Sequence, residues 1–150
     1  MSSSELLPTT SSSIVPTPDD VSIIAATTPT VEKTLVFDFG TYRGEVCSIS
    51  GLRHGWGLLQ YNSGNSYEGT WHQGAHHGDG IKRYRNGDVY CGTWEAGKRV
   101  GKGEYSHVQG DVYVGEYAND VCHGRGRFVT HKGDSYEGEW KLGKKTGHGV

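Results

Sequence analysis

Three histidines, His54, His77 and His123, each stand immediately before a Gly-x-Gly, and this recurring imidazole is the first feature of the chain that could do chemistry. A row of imidazoles could hold a metal. Spacing argues against it. If the segments are paired strands, equivalent residues lie roughly 9–10 Å apart. Two ligands on one zinc at ~2.0–2.1 Å must come within about 4 Å of each other. His76 and His77 are adjacent and would point to opposite faces of a strand. The histidines are therefore read as structural, with no metal and no cofactor expected. Gly55-x-Gly57 and its equivalents could suggest phosphate loops, but a phosphate loop needs a strand-to-helix turn, and no helical pattern follows. No Ser/His/Asp or Cys/His constellation can be specified, so no catalytic residue is assigned and the chain is expected not to be an enzyme. Cys47, Cys91 and Cys122 form no C-x-x-C; their odd number and scattered spacing fit ordinary small residues in a reducing, cytoplasmic setting.

Two kinds of side chain could make a binding surface. Basic residues cluster at Lys82-Arg83-Arg85, at Lys98-Arg99 and at Lys141-Lys144-Lys145. Such bases could meet acidic phospholipid, each contributing ~1 kcal/mol near the surface, but they alternate with acids and read better as solvated charges. The stronger candidate is aromatic. Tyr67, Trp71, Tyr90, Trp94, Tyr113, Tyr117, Tyr136 and Trp140 would line one side of a sheet. Rings not consumed by packing on one another would suit a protein partner, since Tyr and Trp are enriched at interaction hot spots.

What must position these residues is a repeat. Tyr67-Glu68-Gly69-Thr70-Trp71 returns as Tyr90-Cys91-Gly92-Thr93-Trp94, as Tyr113-Val114-Gly115-Glu116-Tyr117 and as Tyr136-Glu137-Gly138-Glu139-Trp140, with the opening tyrosines 23 residues apart. A fixed period of this length marks a stacked array. An earlier, degenerate copy opens at Tyr42 and is longer by two residues, placed in the loop around Cys47 to Gly51, because His54-Gly55-Trp56-Gly57 realigns with His77-Gly78-Asp79-Gly80. The repeats are 42–66, 67–89, 90–112, 113–135 and a partial 136–150.

Each repeat reads as a β-hairpin. Side chains two apart share a face, so Tyr67, Gly69 and Trp71 point one way, and Glu68 and Thr70 the other. Gly101, Gly103 and Tyr105, and Gly124, Gly126 and Phe128, continue the alternation on second strands. The glycines of that face are read as making room for neighbouring rings. The opposite face carries Glu68, Glu116, Glu137, Glu139, Lys102, Glu104, Arg125 and Arg127. Gln73-Gly74, Ala96-Gly97, Asn119-Asp120 and Leu142-Gly143 are the hairpin turns, at positions that want positive φ. The fold expected is all-β: a single-layer antiparallel sheet of stacked hairpins.

The chain has 150 residues and a formal net charge of −2. All glycines, histidines and tryptophans lie at or after Gly40. The balance from there on is too weak to suggest nucleic-acid binding. Residues 1–33 are Ser/Thr/Pro-rich without aromatics and are read as a disordered tail. Residues 34–41 are read as a strand capping the array, because terminal repeats need a cap. No apolar run approaches the ~20 residues of a membrane helix, and the N-terminus lacks the basic and apolar regions of a secretory signal.

Tyr-Glu-Gly-x-Trp, then Gly-x-x-His-Gly-x-Gly, then Gly-Asp, at this period over residues 42–150, resembles the MORN repeat (membrane occupation and recognition nexus). Departures are modest: Val46 and Tyr117 replace the first-strand Trp, and Lys82 stands where Tyr105 and Phe128 stand. The resemblance implies an elongated, twisted sheet. It also implies a binding or scaffolding role in cytoskeletal, ciliary or membrane-associated proteins. The alternative it implies is the regulatory array of a longer enzyme, since phosphatidylinositol phosphate kinases and a lysine methyltransferase carry such arrays. A third expectation is peripheral binding to anionic lipid. The fifth copy stops at Val150 as its second strand begins, and the edge this leaves is expected to continue into a longer array or to self-associate.

Overall fold

The computed structural model describes residues 28–150. Eleven strands run in chain order: β1 Thr30–Phe37, β2 Gly40–Cys47, β3 Arg53–Tyr61, β4 Ser66–His72, β5 Ala75–Arg83, β6 Val89–Glu95, β7 Lys98–Ser106, β8 Val112–Ala118, β9 Val121–Val129, β10 Ser135–Lys141 and β11 Lys144–Gly149. Their order in the sheet is their order in the chain, and every neighbouring pair is antiparallel. The all-β, single-layer, open sheet expected from the repeat is the observed architecture, with no helix among the described residues. Of the expected tail, residues 1–27 lie outside the described residues. β1 opens at Thr30 rather than 34, because Thr30 to Lys33 find ladder partners in Cys47 to Gly44 and the Thr30 hydroxyl donates to Glu45 Oε1 at 2.8 Å. Gly40 and Thr41, expected in the cap, open β2 instead.

Turn chemistry sets the register. Gln73-Gly74, Ala96-Gly97, Asn119-Asp120 and Leu142-Gly143 all have both residues at positive φ. That is the two-residue turn whose twist suits a hairpin. The first full hairpin instead turns through residues 48–52, as its longer period requires.

One row of glycines crosses ten strands. Gly44, Gly57, Gly69, Gly80, Gly92, Gly103, Gly115, Gly126, Gly138 and Gly149 are each paired with the next across β2 to β11. A tyrosine ring lies over each hairpin's part of the row. A Cβ on Gly57, Gly80, Gly103, Gly126 or Gly149 would overlap the ring of Tyr42, Tyr67, Tyr90, Tyr113 or Tyr136 respectively. The first glycine of each Gly-x-Gly has a different task from the one expected. Gly55, Gly78, Gly101 and Gly124 have φ of 89°, 72°, 61° and 99° and sit in bulges, where the register shifts between the hairpin's two strands. The residue opposite the bulge braces it. Glu45 and Glu116 accept the N–H groups of Trp56 and Arg125, and the Thr70 hydroxyl donates to the His77 carbonyl.

Candidate functional site: the ring face and its groove

The eight aromatic residues expected to meet a partner are first of all the core. Tyr67 and Tyr90 are wholly buried; Trp71, Trp94, Tyr113, Tyr117 and Trp140 are buried, and Tyr136 is half-buried. They interlock edge to face in an unbroken zigzag. Tyr67 stands between Trp71 and Trp94 at centroid distances of 5.0 and 5.4 Å, Tyr90 between Trp94 and Tyr117 at 5.2 and 5.1 Å, and Tyr113 between Tyr117 and Trp140 at 5.3 and 5.1 Å. Edge-to-face contact sets the positive ring edge against the negative face, and such pairs are worth about 0.5–1.5 kcal/mol beyond their burial. The polar tips are consumed as well. The hydroxyls of Tyr67, Tyr113 and Tyr136 donate to the carbonyls of Thr70, Glu116 and Glu139 at 2.9, 2.8 and 3.0 Å. The indole N–H groups of Trp71, Trp94 and Trp140 donate to the carbonyls of Gly57, Gly80 and Gly126 at 3.0, 3.3 and 3.1 Å. These rings hold repeat to repeat; a partner would meet what lies over them.

A row of five positions, each 23 residues after the last, lies there: Arg53, His76, Arg99, Cys122 and Lys145. The Arg53 guanidinium sits 4.6 Å from the centre of the Trp71 ring. His76 stacks on Tyr67 at 3.7 Å and meets Trp71 and Trp94 edge-on. Burial lowers its pKa to about 4, with Lys82 and Arg53 adding to the shift. It is neutral at pH 7, with Nε2 at 3.3 Å from the Tyr61 hydroxyl and Nδ1 without a partner among the described residues. Arg99 lies 5.5 Å from the Tyr90 ring centre and 5.2 Å from that of Tyr117, held by Asp120 through Nε to Oδ1 at 2.7 Å. Lys145 lies over Phe128, Tyr136 and Trp140 at 5.3, 5.1 and 6.0 Å. Cations over ring faces are attracted by the ring quadrupole. Sequence reasoning missed this row because its residue types differ; only the constancy of the period could have found it.

The row divides the basic clusters. Lys82, Arg99 and Lys145 join the ring face, Lys82 with its ammonium 5.4 Å from the Tyr84 ring and its pKa lowered by burial. Arg83, Lys98 and Lys144 adjoin them on the same strands, and Lys141 adjoins Trp140 on β10, so all four point to the back of the sheet. Arg85 lies in the link after β5, its N–H bonded to Asn65. The clusters therefore do not form one continuous basic patch.

Over Cys122 the row is interrupted by a short side chain, and a groove of about 470 Å³ opens there. Tyr105, Tyr117, Phe128 and Trp140 form its walls, with Arg99 and Lys145 at its two ends. Burial pushes the Cys122 thiol pKa up, which makes it a poor nucleophile. A wider depression of about 780 Å³ lies among Lys102, Glu104, Glu116 and Arg125, on the back face. Those opposite charges answer one another, as in the cross-strand pair Lys102–Glu116.

The links between hairpins also interlock. Asn65, Asp88 and Asp111 each take, on Oδ1, the backbone N–H of the next link, from Arg85, Val108 and His131 at 2.8, 2.9 and 2.7 Å. Asp88 also accepts from the Tyr105 hydroxyl at 2.7 Å, which holds its carboxyl below the usual range and anchors one wall of the groove. His54 and His123 prove to be brackets of the same kind, each taking through Nδ1 the N–H of Gln73 or Leu142 in the next hairpin's turn. His77 is exposed, its ring 5.3 Å from that of His72. Among the described residues no group of three His, Cys, Asp or Glu side chains is placed to hold a metal ion.

The family model of the MORN repeat matches residues 49–66, 67–89, 90–112, 113–135 and 136–150. The last four matches open on Tyr67, Tyr90, Tyr113 and Tyr136, the rings over the glycine row; the first begins inside the turn between β2 and β3. No curated protein matches the chain.

Proposed function

Because the chain belongs to the MORN-repeat family, we propose that it is a non-enzymatic scaffold that binds a protein partner on the ring face of its sheet. The observation that carries this reading is the groove of about 470 Å³ in that face, walled by aromatic rings and ended by Arg99 and Lys145. Rings and arginine are the side chains most enriched where proteins bind tightly. Among the described residues no second layer covers that face, which leaves what lies over the rings open to a partner. The three free cysteines fit a reducing compartment, and we place the protein in the cytoplasm on that ground.

Capture from a lysate of the source cells tests the reading. Val121 is 37% exposed on the rim of the groove. The double variant Val121→Arg, Lys145→Glu changes that rim without touching the glycine row. It is compared with the wild type and with Lys102→Glu on the back face. Proteins held by the wild type and by Lys102→Glu, but lost from the double variant, are the expected result. Recovery of the same proteins by all three would remove the ring face as the binding site.

A further inference from the structure

We propose that the hollow over Cys122 receives an apolar side chain from a short acidic segment of a partner protein, with an acid of that segment pairing with Lys145. The proposal rests on the protein-binding reading and names the chemistry of the partner at one point of that face.

The hollow is a vacancy in a pattern. At four of the five row positions a long side chain, Arg53, His76, Arg99 or Lys145, covers the rings beneath it. The fifth is Cys122, whose thiol is too short to do so. Tyr117 and Trp140 keep 6% and 8% exposure there, and Tyr105 and Phe128 stand as walls to either side. What is missing is one large side chain, and the site would take it from outside. Dispersion contact and apolar burial both favour filling it.

Charge selects the sequence around that side chain. Arg99 at one end is already committed, its guanidinium bonded to the Asp120 carboxylate at 2.7 Å and to the Asp120 carbonyl at 2.6 Å. Lys145 at the other end has no carboxylate partner among the described residues and is exposed. Arg53 and Lys82 extend the positive charge along the same face. A segment that put a lysine or arginine into the groove would meet Lys145 uncompensated. One with glutamate or aspartate beside its apolar residue meets it favourably. A flat anionic bilayer is the poorer match, because Arg83, Lys98 and Lys144 point to the back of the sheet and this face offers it no continuous basic patch.

Fluorescence anisotropy with the full chain tests this. Three fluorescein-labelled peptides of equal length serve as probes: glutamates around a central Leu-Phe, the same with lysine for each glutamate, and the same glutamates around Ser-Ser. Phosphatidylserine vesicles are a fourth probe, read by co-sedimentation. The Glu/Leu-Phe peptide is expected to bind at least about tenfold more tightly than either other peptide. Cys122→Arg refills the row with the residue of the neighbouring repeat and is expected to fold, by circular dichroism, and to lose that binding. Cys122→Ser keeps the hollow and the binding. Equal affinity for the acidic and basic peptides would overturn the proposal, as would unchanged binding by a folded Cys122→Arg variant. Binding to vesicles with none to the peptides would overturn it too. Should Cys122→Arg capture the same lysate proteins that Val121→Arg, Lys145→Glu loses, the ring face stands as the binding site and this hollow does not.

Discussion

His76 shows how one residue ties the array to pH. It is 8% exposed, packed among three rings, and neutral with a pKa of about 4. In the unfolded chain its pKa returns to 6.5. The folded value is the lower one, so the neutral form favours folding and stability is complete above pH 6.5. As pH falls from 6.5 toward 4 the unfolded state gains a proton that the folded state refuses, and stability is lost; below 4 both are protonated and the loss stops. A gap of this size corresponds to roughly 3 kcal/mol. Thermal melts between pH 7 and 4 are expected to show that decline. His76→Phe keeps a ring on Tyr67 but cannot titrate, so its melting temperature should change far less across the window. His54, also shifted down by burial, leaves a smaller slope. Asp88 and Asp111, held low by their hydrogen bonds, act only in stronger acid. An equal decline in His76→Phe would show that the buried imidazole is not the group responsible.

At the scale of the strands, what was legible followed from residue type. Tyr-x-Gly-x-Trp repeats the same residues, so the period, the alternation of faces and the turns could all be read. The order of the strands could be read too, since two-residue turns force neighbours to pair. The row from Arg53 to Lys145 could not, because it is constant in place and variable in chemistry. Nor could the bulges: Gly78 and Gly80 are identical in sequence, yet one bends the strand at positive φ and the other lies beneath Tyr67. The aromatic stripe was visible, but its zigzag packing depends on which ring stands across the strand boundary, and that buries the residues nominated for contact. The two uses of glycine can be separated by experiment. Gly126→Ala drives a Cβ into the buried Tyr113 ring and is expected to cost about 1–3 kcal/mol, as overpacking does. Gly147→Ala has open space and no positive φ, so its effect should stay within about 0.5 kcal/mol. Urea titration of both variants reads the difference directly, and equal midpoints would mean that the ring is not the constraint.

The whole sheet is a one-dimensional object. Each strand contacts its chain neighbours, the glycine row and the edge-to-face ring packing run on from repeat to repeat, and among the described residues no strand crosses over. Stability in such an array is close to a sum of repeat and nearest-neighbour terms. One whole repeat should therefore be removable. Deleting residues 90–112 joins Val89 to Tyr113. β5 then meets β8 with Gly80 opposite Gly115, just as it now meets β6 with Gly80 opposite Gly92. The tyrosine after the junction still covers Gly126. The shortened chain is expected to fold to the same circular dichroism signature, with a smaller urea m-value because less surface is exposed on unfolding. Deleting residues 90–101 instead removes β6 and the start of β7, breaks the hairpin and brings two strands together out of phase, and that chain is expected not to fold. If the two deletions behaved alike, the array would owe its stability to something other than the repeat.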